Sequence, residues 1–455
     1  MYTLKRDTEI TAQVILDIIE YSRKINARYD KLEAYYIGQQ EILNRNKVDN
    51  LSNNKVMINH ARYITDINVG YLMGNPVEYQ VADGYDIKPL LDVYKNQTIN
   101  DLDTEIAKDM SIYGVQYEYV YANENAEPRS AELDNRNVVL VHDTTMEHNK
   151  LFGIIYRAIL EKNKKEFYEV IYTDDKETRY YTLKGKNLKT EKEEPHAFGA
   201  VPIIEYRNNP EYLGDFEDAI SLIDAYNLLQ SDRINDKEQL VDAILWLKNM
   251  DFTNEQVQQL KEYRVLSSIP PDGDIGYLIK TLNEADTDVL RKTLENDIHK
   301  VTMTPNMSDA NFIGNSSGVA IRYKLLAFEQ RISNKERYFE KGLMERFELY
   351  NNFLSTLSRM SIVPVSEVDA IFKRNLPLDD YNTSQMINNL LGTVDRELLV
   401  SQLSFVKDSK ETVELALAES EADMREYTTP YNDNQINDSN TGGVSPNNPE
   451  DPIVE

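Results

Sequence analysis

The sequence predicts an α+β chain in which helical segments flank a central antiparallel sheet. Three observations carry this. Apolar residues recur at helical spacing through the first hundred residues, tyrosine-rich segments alternate between Tyr113 and Tyr206, and a proline-free stretch from Val319 to about Met360 keeps a single helical period. Thr11 to Ala27 places Val14, Ile15, Ile18, Ile19, Ser22 and Ile25 on one helical face. A second amphipathic run, Arg28 to Gln40, ends at Gly38, a residue suited to stopping a helix. An Asn-rich loop spans Asn44 to Asn54, and a third helix from Asn59 to Met73 is broken by Gly74-Asn75-Pro76.

From Tyr113 the period changes. Tyr117–Tyr121, Val138–Val141, Leu151–Tyr156, Phe167–Tyr172 and Thr178–Leu183 read as strands, Lys184–Asn187 as a turn, and Val201–Tyr206 as an edge strand. Together they predict one antiparallel sheet of about five or six strands, with tyrosines packing its half-buried face. After Pro210 a long amphipathic helix runs from Asp215 to about Val241, then a strand-like piece, Ala243–Lys248. A small helix, Thr253–Tyr263, the segment Arg264–Leu266, the turn Pro270–Asp274 and a strand, Ile275–Ile279, form a compact insert closed by a helix from Asn283 to Val301.

Met303 to Gly318 is a loop rich in Asn and Ser, with Asp309 its only formal charge, in a chain that is otherwise 28% charged. Ser316 or Ser317 is a natural N-cap for the helix that follows. At 1.5 Å per residue that helix would be roughly 60 Å long. A smaller helical region covers Thr383 to Arg425, and the tail from Thr428 to Glu455, rich in Asn, Asp, Pro and Gly without Lys or Arg, reads as disordered.

Composition narrows the function. The chain has 455 residues, 77 acidic and 50 basic side chains, a formal charge of −27, one Trp, 30 Tyr and no Cys. The missing cysteines exclude disulfides, thiolate metal sites and a cysteine nucleophile, and suit a reducing cytoplasm. The acid excess argues against a protein that grips DNA through clustered Lys and Arg. No stretch is apolar enough to span a bilayer and none resembles a signal peptide, so no membrane partner is expected. The five histidines, His60, His142, His148, His196 and His299, are scattered without metal-ligand spacing and read as surface or supporting polar residues.

Catalysis finds no support. The adjacent acids Asp174-Asp175, Glu193-Glu194 and Asp379-Asp380 would point to opposite faces of a strand. There is no Walker A sequence, and Gly314-Asn315-Ser316-Ser317-Gly318 lacks the spacing of a nucleophile elbow. No catalytic residue, metal or cofactor is expected.

Tyr35-Tyr36-Ile37-Gly38, then Asn59–Ile64, then Gly70-Tyr71-Leu72-Met73-Gly74-Asn75-Pro76-Val77, together resemble the N-terminal signature of tailed-bacteriophage portal proteins of siphophages of Gram-positive hosts. Met307 to Ala320 is similar to that family's tunnel loop and the start of its long kinked helix, and the likeness keeps family order from about Lys31 to Arg359. The resemblance implies a ring of about twelve subunits at one capsid vertex. It implies a wing over 1–212, stem helices over 213–242 and 282–302, a small α/β clip over 243–281 and a tunnel loop over 303–318. The long wing helix and its return would take 319–382, a helical crown 383–427, and the acidic tail 428–455. Implied partners are other copies of the chain, double-stranded DNA passing through the channel, the terminase large subunit, major capsid and scaffolding proteins, and a head-completion or adaptor protein. The protein would reside in the virion after assembly in the bacterial cytoplasm.

On this reading Asn306, Ser308, Asp309, Asn311, Asn315 and Ser316 touch DNA, and Trp246, Lys248, Arg264 and Lys280 serve the clip interface. Trp246 can equally be a packed core residue, and the loop an ordinary surface connection. The competing reading is a structural or scaffold oligomer of a phage particle that is not a portal. A nucleic-acid-processing enzyme would need an acidic metal triad that the sequence does not assemble.

Overall fold

The computed structural model describes residues 1–47, 52–160, 166–241, 244–249, 271–278, 284–308, 318–374 and 380–403, with 253, 406, 409–410 and 412–418. The chain divides into two compact units, Met1–Leu376 and Pro377–Glu455.

Strand β1 (Tyr2–Thr3) precedes helix α1 (Ala12–Tyr36), whose first turn is capped by Thr11 Oγ1 accepting from Val14 N. The two helical runs read from the sequence are therefore one 25-residue helix. The junction at Ala27-Arg28 holds no Gly or Pro, and Ile15, Ile18, Ile19, Tyr29, Leu32 and Tyr35 are buried along it. Helices α2 (His60–Met73), α3 (Lys88–Asn96) and α4 (Ile99–Tyr113) follow, with β2 (Glu78–Val81) between the first two.

The strands β3 (Val115–Ala122), β4 (Pro128–Leu133), β5 (Val138–His142), β6 (Lys150–Leu160), β7 (Glu166–Thr173), β8 (Glu177–Lys184), β9 (Asn187–Pro195) and β10 (Ile203–Arg207) form two sheets, where the sequence predicts one. The larger has the order β1-β5-β6-β7-β8-β9, with β1 parallel to β5 and the other pairs antiparallel. The smaller is β10-β3-β4, so the 203–207 strand is an edge strand as expected. Alternation identifies a strand and one face of it, but not its partner, and β3 and β10 pair across more than eighty residues.

Two glycines fix where these layers meet. Gly114 ends α4 with φ +84°, and a Cβ there would lie 2.0 Å from the Tyr212 carbonyl oxygen. A Cβ on Gly342 would lie 2.3 Å from the Tyr206 ring.

Helix α5 (Ile220–Val241), strands β11 (Ile244–Lys248) and β12 (Asp274–Leu278), and helix α6 (Glu284–Val301) lead to α7, a single helix over Gly318–Thr356. Strand β13 (Val368–Ile371) returns to pair with β2. The length of α7 matches the proline-free pattern. Leu325, Phe328, Ile332, Phe339, Leu343, Phe347, Tyr350 and Leu354 carry its apolar stripe into the largest core. Two fully buried cations interrupt that stripe. Arg346 donates from Nη1 to Asp103 Oδ1 at 2.6 Å and from Nε and Nη2 to Glu118 at 2.8 Å. Tyr206 Oη completes the set by donating to Glu118 Oε2 at 2.6 Å. Lys335 donates to Asp215 Oδ2 at 2.8 Å and to Ser111 Oγ.

In the second unit, α8 (Asp380–Leu390) and α9 (Arg396–Val400) are short helices, the latter capped by Asp395 Oδ1 accepting from Glu397 N at 2.8 Å. They fall where the sequence predicts helical structure from Thr383 onward. Thr428–Glu455 lies outside the described residues.

His60 and His142 are buried, so of the two readings offered by the sequence, surface or supporting polar residue, the supporting one applies to both. Burial, helped by neighbouring His299 and opposed by Glu295, lowers the His60 pKa to about 4. Among the described residues no helix is long and apolar enough to cross a membrane, and no group of three or more acidic, His or Cys residues could hold a metal.

Candidate functional site

The described start of the Asn/Ser-rich loop, Met303–Ser308, is held by three helices. Helix α6 ends in a tight turn: Thr302 N and Oγ1 both donate to the Ile298 carbonyl, and Met303 follows with φ +52°. A bulky residue in the left-handed region costs about 1–3 kcal/mol, so the surroundings must hold it there. They do so mostly through main-chain atoms. His299 Nδ1 donates to the Thr304 carbonyl at 2.9 Å, and Asn68 Nδ2 of α2 donates to Thr304 Oγ1 at 3.1 Å. Tyr63 Oη of α2 donates to the Pro305 carbonyl at 3.1 Å and accepts from Met307 N at 2.9 Å. Arg331 of α7 donates to the Thr302 carbonyl and to Asp215 Oδ1.

Aromatic edges pack the same corner. His60 lies 4.8 Å from the Tyr226 ring and 6.2 Å from His299, and Tyr63 lies 5.6 Å from His299, all edge to face. The loop therefore leaves the body with a fixed direction, while Met303 and Met307 are half-exposed.

Of the loop residues picked from the sequence, Ser308 is exposed and its amide donates to Asn306 Oδ1 at 3.0 Å. Asn306 also ties the loop to α6, because its Nδ2 donates to Glu295 Oε1 at 3.1 Å. Asp309, Asn311, Asn315 and Ser316 lie outside the described residues.

Replacing Tyr63 by Phe removes two hydrogen bonds to the loop backbone and leaves the ring. The expected result is about 1–2 kcal/mol of local destabilisation, read as roughly tenfold faster amide exchange at Met307 with global stability almost unchanged. Unchanged protection at Met307 would show that the Tyr63 hydroxyl does not hold the loop.

Helices α5 and α6 run together toward the insert. Phe216, Ile223, Tyr226 and Ile298 are buried in one cluster near the loop root, and Lys237 meets Glu284 at 3.0 Å farther along α5. The same buried side of α5 continues toward its C-terminus as a polar ladder that the sequence reading missed. Asn227, Ser231 and Asn235, four residues apart, accept from the backbone amides of Ile58, Val56 and Asn54 at 2.9, 2.9 and 2.7 Å. Short polar residues at i, i+4 and i+8, in line with Ile223, were the available signal.

In the insert, β11 and β12 pair antiparallel, with Trp246 opposite Gly276 and Lys248 opposite Asp274. A Cβ at Gly276 would come within 2.8 Å of the indole Nε1, so the ring covers the glycine. Trp246 remains 38% exposed, which leaves indole surface available beyond that contact. Lys248 is exposed, and Arg264 and Lys280 fall outside the described residues.

Residues 17–426 match the family model described as "Phage portal protein, SPP1 Gp6-like". The portal protein of Bacillus phage SPP1 is 24% identical over 448 residues, covering 92% of this chain and 85% of that relative. The portal protein of Clostridium phage phiCD119 is 21% identical over 436 residues, covering 88% of this chain and 94% of that relative.

Proposed function

The chain belongs to the SPP1 Gp6-like phage portal proteins, and on that basis we propose that residues 303–318 form the part of a ring channel that DNA touches during packaging. Portal proteins are structural components of the virion at the capsid, not enzymes. The family as a whole implies homo-oligomeric rings working with capsid and terminase. The finer assignment is ours. The ring has about twelve subunits, α5 and α6 are stem helices, 243–281 is the clip that meets the terminase large subunit and later the head-completion protein, and 383–427 is the crown. Residues 1–212 with α7 form the wing, the tail follows the crown, and assembly with scaffolding and major capsid proteins takes place in the host cytoplasm.

One observation supports the loop most strongly: its root is anchored through main-chain atoms to α2, α6 and α7, while its span carries one formal charge. Such a loop holds a defined position and offers DNA only short, exchangeable contacts from Asn and Ser. Subunits of charge −27 repel phosphate, an effect screened beyond about 8 Å at physiological salt. DNA is then guided without being held.

The test is to replace Asn311 and Asn315 by Lys, leaving Asn306 to anchor Glu295. Added cations in every subunit create counterion-releasing contacts. Packaging should slow by about threefold or more, most strongly at low salt, with ring assembly intact. Packaging at the original rate would remove the loop from contact with DNA.

A further inference from the structure

A cavity of about 330 Å³ lies inside the first unit, between α1, β3, β5, β10 and the segment after β10. Five tyrosines, Tyr2, Tyr21, Tyr29, Tyr117 and Tyr212, contribute to its wall. The Glu205 carboxylate sits among them, its side chain 8% exposed. Tyr117 and Tyr212 donate to Glu205 Oε2 and Oε1 at 3.1 and 3.3 Å, and Arg207 Nε donates to Oε1 at 2.5 Å. Oε1 is thus filled, while Oε2 has room for another donor.

Two further buried polar atoms on the wall, Asn135 Oδ1 and His142 Nδ1, have no protein partner among the described residues. Burial also lowers the His142 pKa, so that imidazole stays neutral and repels no cation. The lining Arg28 is committed to Glu217 at 2.7 Å and to the Tyr212 carbonyl. The Met1 amino group, also on the wall, donates to Tyr21 Oη at 3.2 Å. A second lining carboxylate, Glu211, is exposed.

Glu205 keeps Arg207 as its counter-ion, and the Tyr212 and Tyr29 faces already carry Arg207 and Arg28. It is the spare acceptors Glu205 Oε2 and Asn135 Oδ1, beside the remaining rings, that favour an organic ammonium over an anion or a plain hydrocarbon. We propose that this cavity is a binding site for a linear polyamine, one ammonium donating to Glu205 and Asn135 and the alkyl chain lying against the tyrosine rings.

The experiment is calorimetric titration of the full chain with spermidine at 150 and 500 mM NaCl, repeated with Glu205→Gln and with Ile25→Trp, which fills the cavity from α1. The expected result is saturable binding at one site per chain that survives the higher salt. Glu205→Gln should weaken it at least about tenfold, and Ile25→Trp should abolish it. Absence of saturable binding would overturn the proposal. So would binding that Ile25→Trp leaves intact and salt removes, because that is counterion binding to an acidic surface. Should Glu205→Gln melt early, Ile25→Trp decides the matter alone.

Discussion

Arg346→Ala is expected to lower the unfolding free energy by about 3–5 kcal/mol, because it leaves Asp103 and Glu118 as buried carboxylates without their cation. The pH dependence separates this from simple loss of packing. In the intact protein burial raises the Asp103 pKa to about 6, with Arg346 pulling it back down. Removing Arg346 lets it rise further. A carboxyl that holds its proton more tightly folded than unfolded costs stability as pH climbs from about 4 through its folded pKa. The deficit of Arg346→Ala should therefore be larger at pH 8 than at pH 5 in urea unfolding. Equal deficits, or a loss below about 1 kcal/mol, would show that the guanidinium is not the counter-ion that Asp103 depends on.

Asp215→Ala should cost a similar amount, about 3–5 kcal/mol, because Lys335 is then stranded in the core. Burial alone would raise the Asp215 pKa, but Lys335, Arg331 and Asn208 together bring it down to about 2. A depressed carboxylate contributes stability above its unfolded pKa and loses it as pH falls toward the folded one. Wild-type stability should therefore decline between about pH 4 and 2 in a way that the variant does not reproduce. The loss also has a local consequence, since Asp215 holds Arg331 and Arg331 donates to the Thr302 carbonyl beneath the loop. Faster amide exchange at the loop root is expected alongside the global loss. An Asp215→Ala protein as stable as wild type at pH 7 would refute the assignment of Lys335 as its buried counter-ion.

These two networks mark the limit of what the sequence made legible. Periodicity found α2, α5, α6 and α7 within a few residues, because apolar residues recur at helical spacing in each. It divided α1 at Arg28, a residue that is polar in sequence yet bridges to Glu217 without interrupting the helix. It merged two sheets into one, because partner choice depends on packing between β3 and β10 that lies outside either strand. Nothing in the sequence singles out Arg346 and Lys335, since a charge is buried only when partners distant in sequence converge on it. The nearly uncharged loop and the insert between two helices were visible from composition and order. The loop's anchorage through Tyr63, Asn68, His299 and Arg331 was not, because most of those contacts go to backbone atoms that carry no sequence signal.

Cryo-EM of the purified full chain tests the central claim most directly. The account predicts closed rings of about twelve subunits around an open channel, with residues 303–318 on the inner wall. Compact monomers, open filaments, or rings that carry this loop on the outer surface would contradict it.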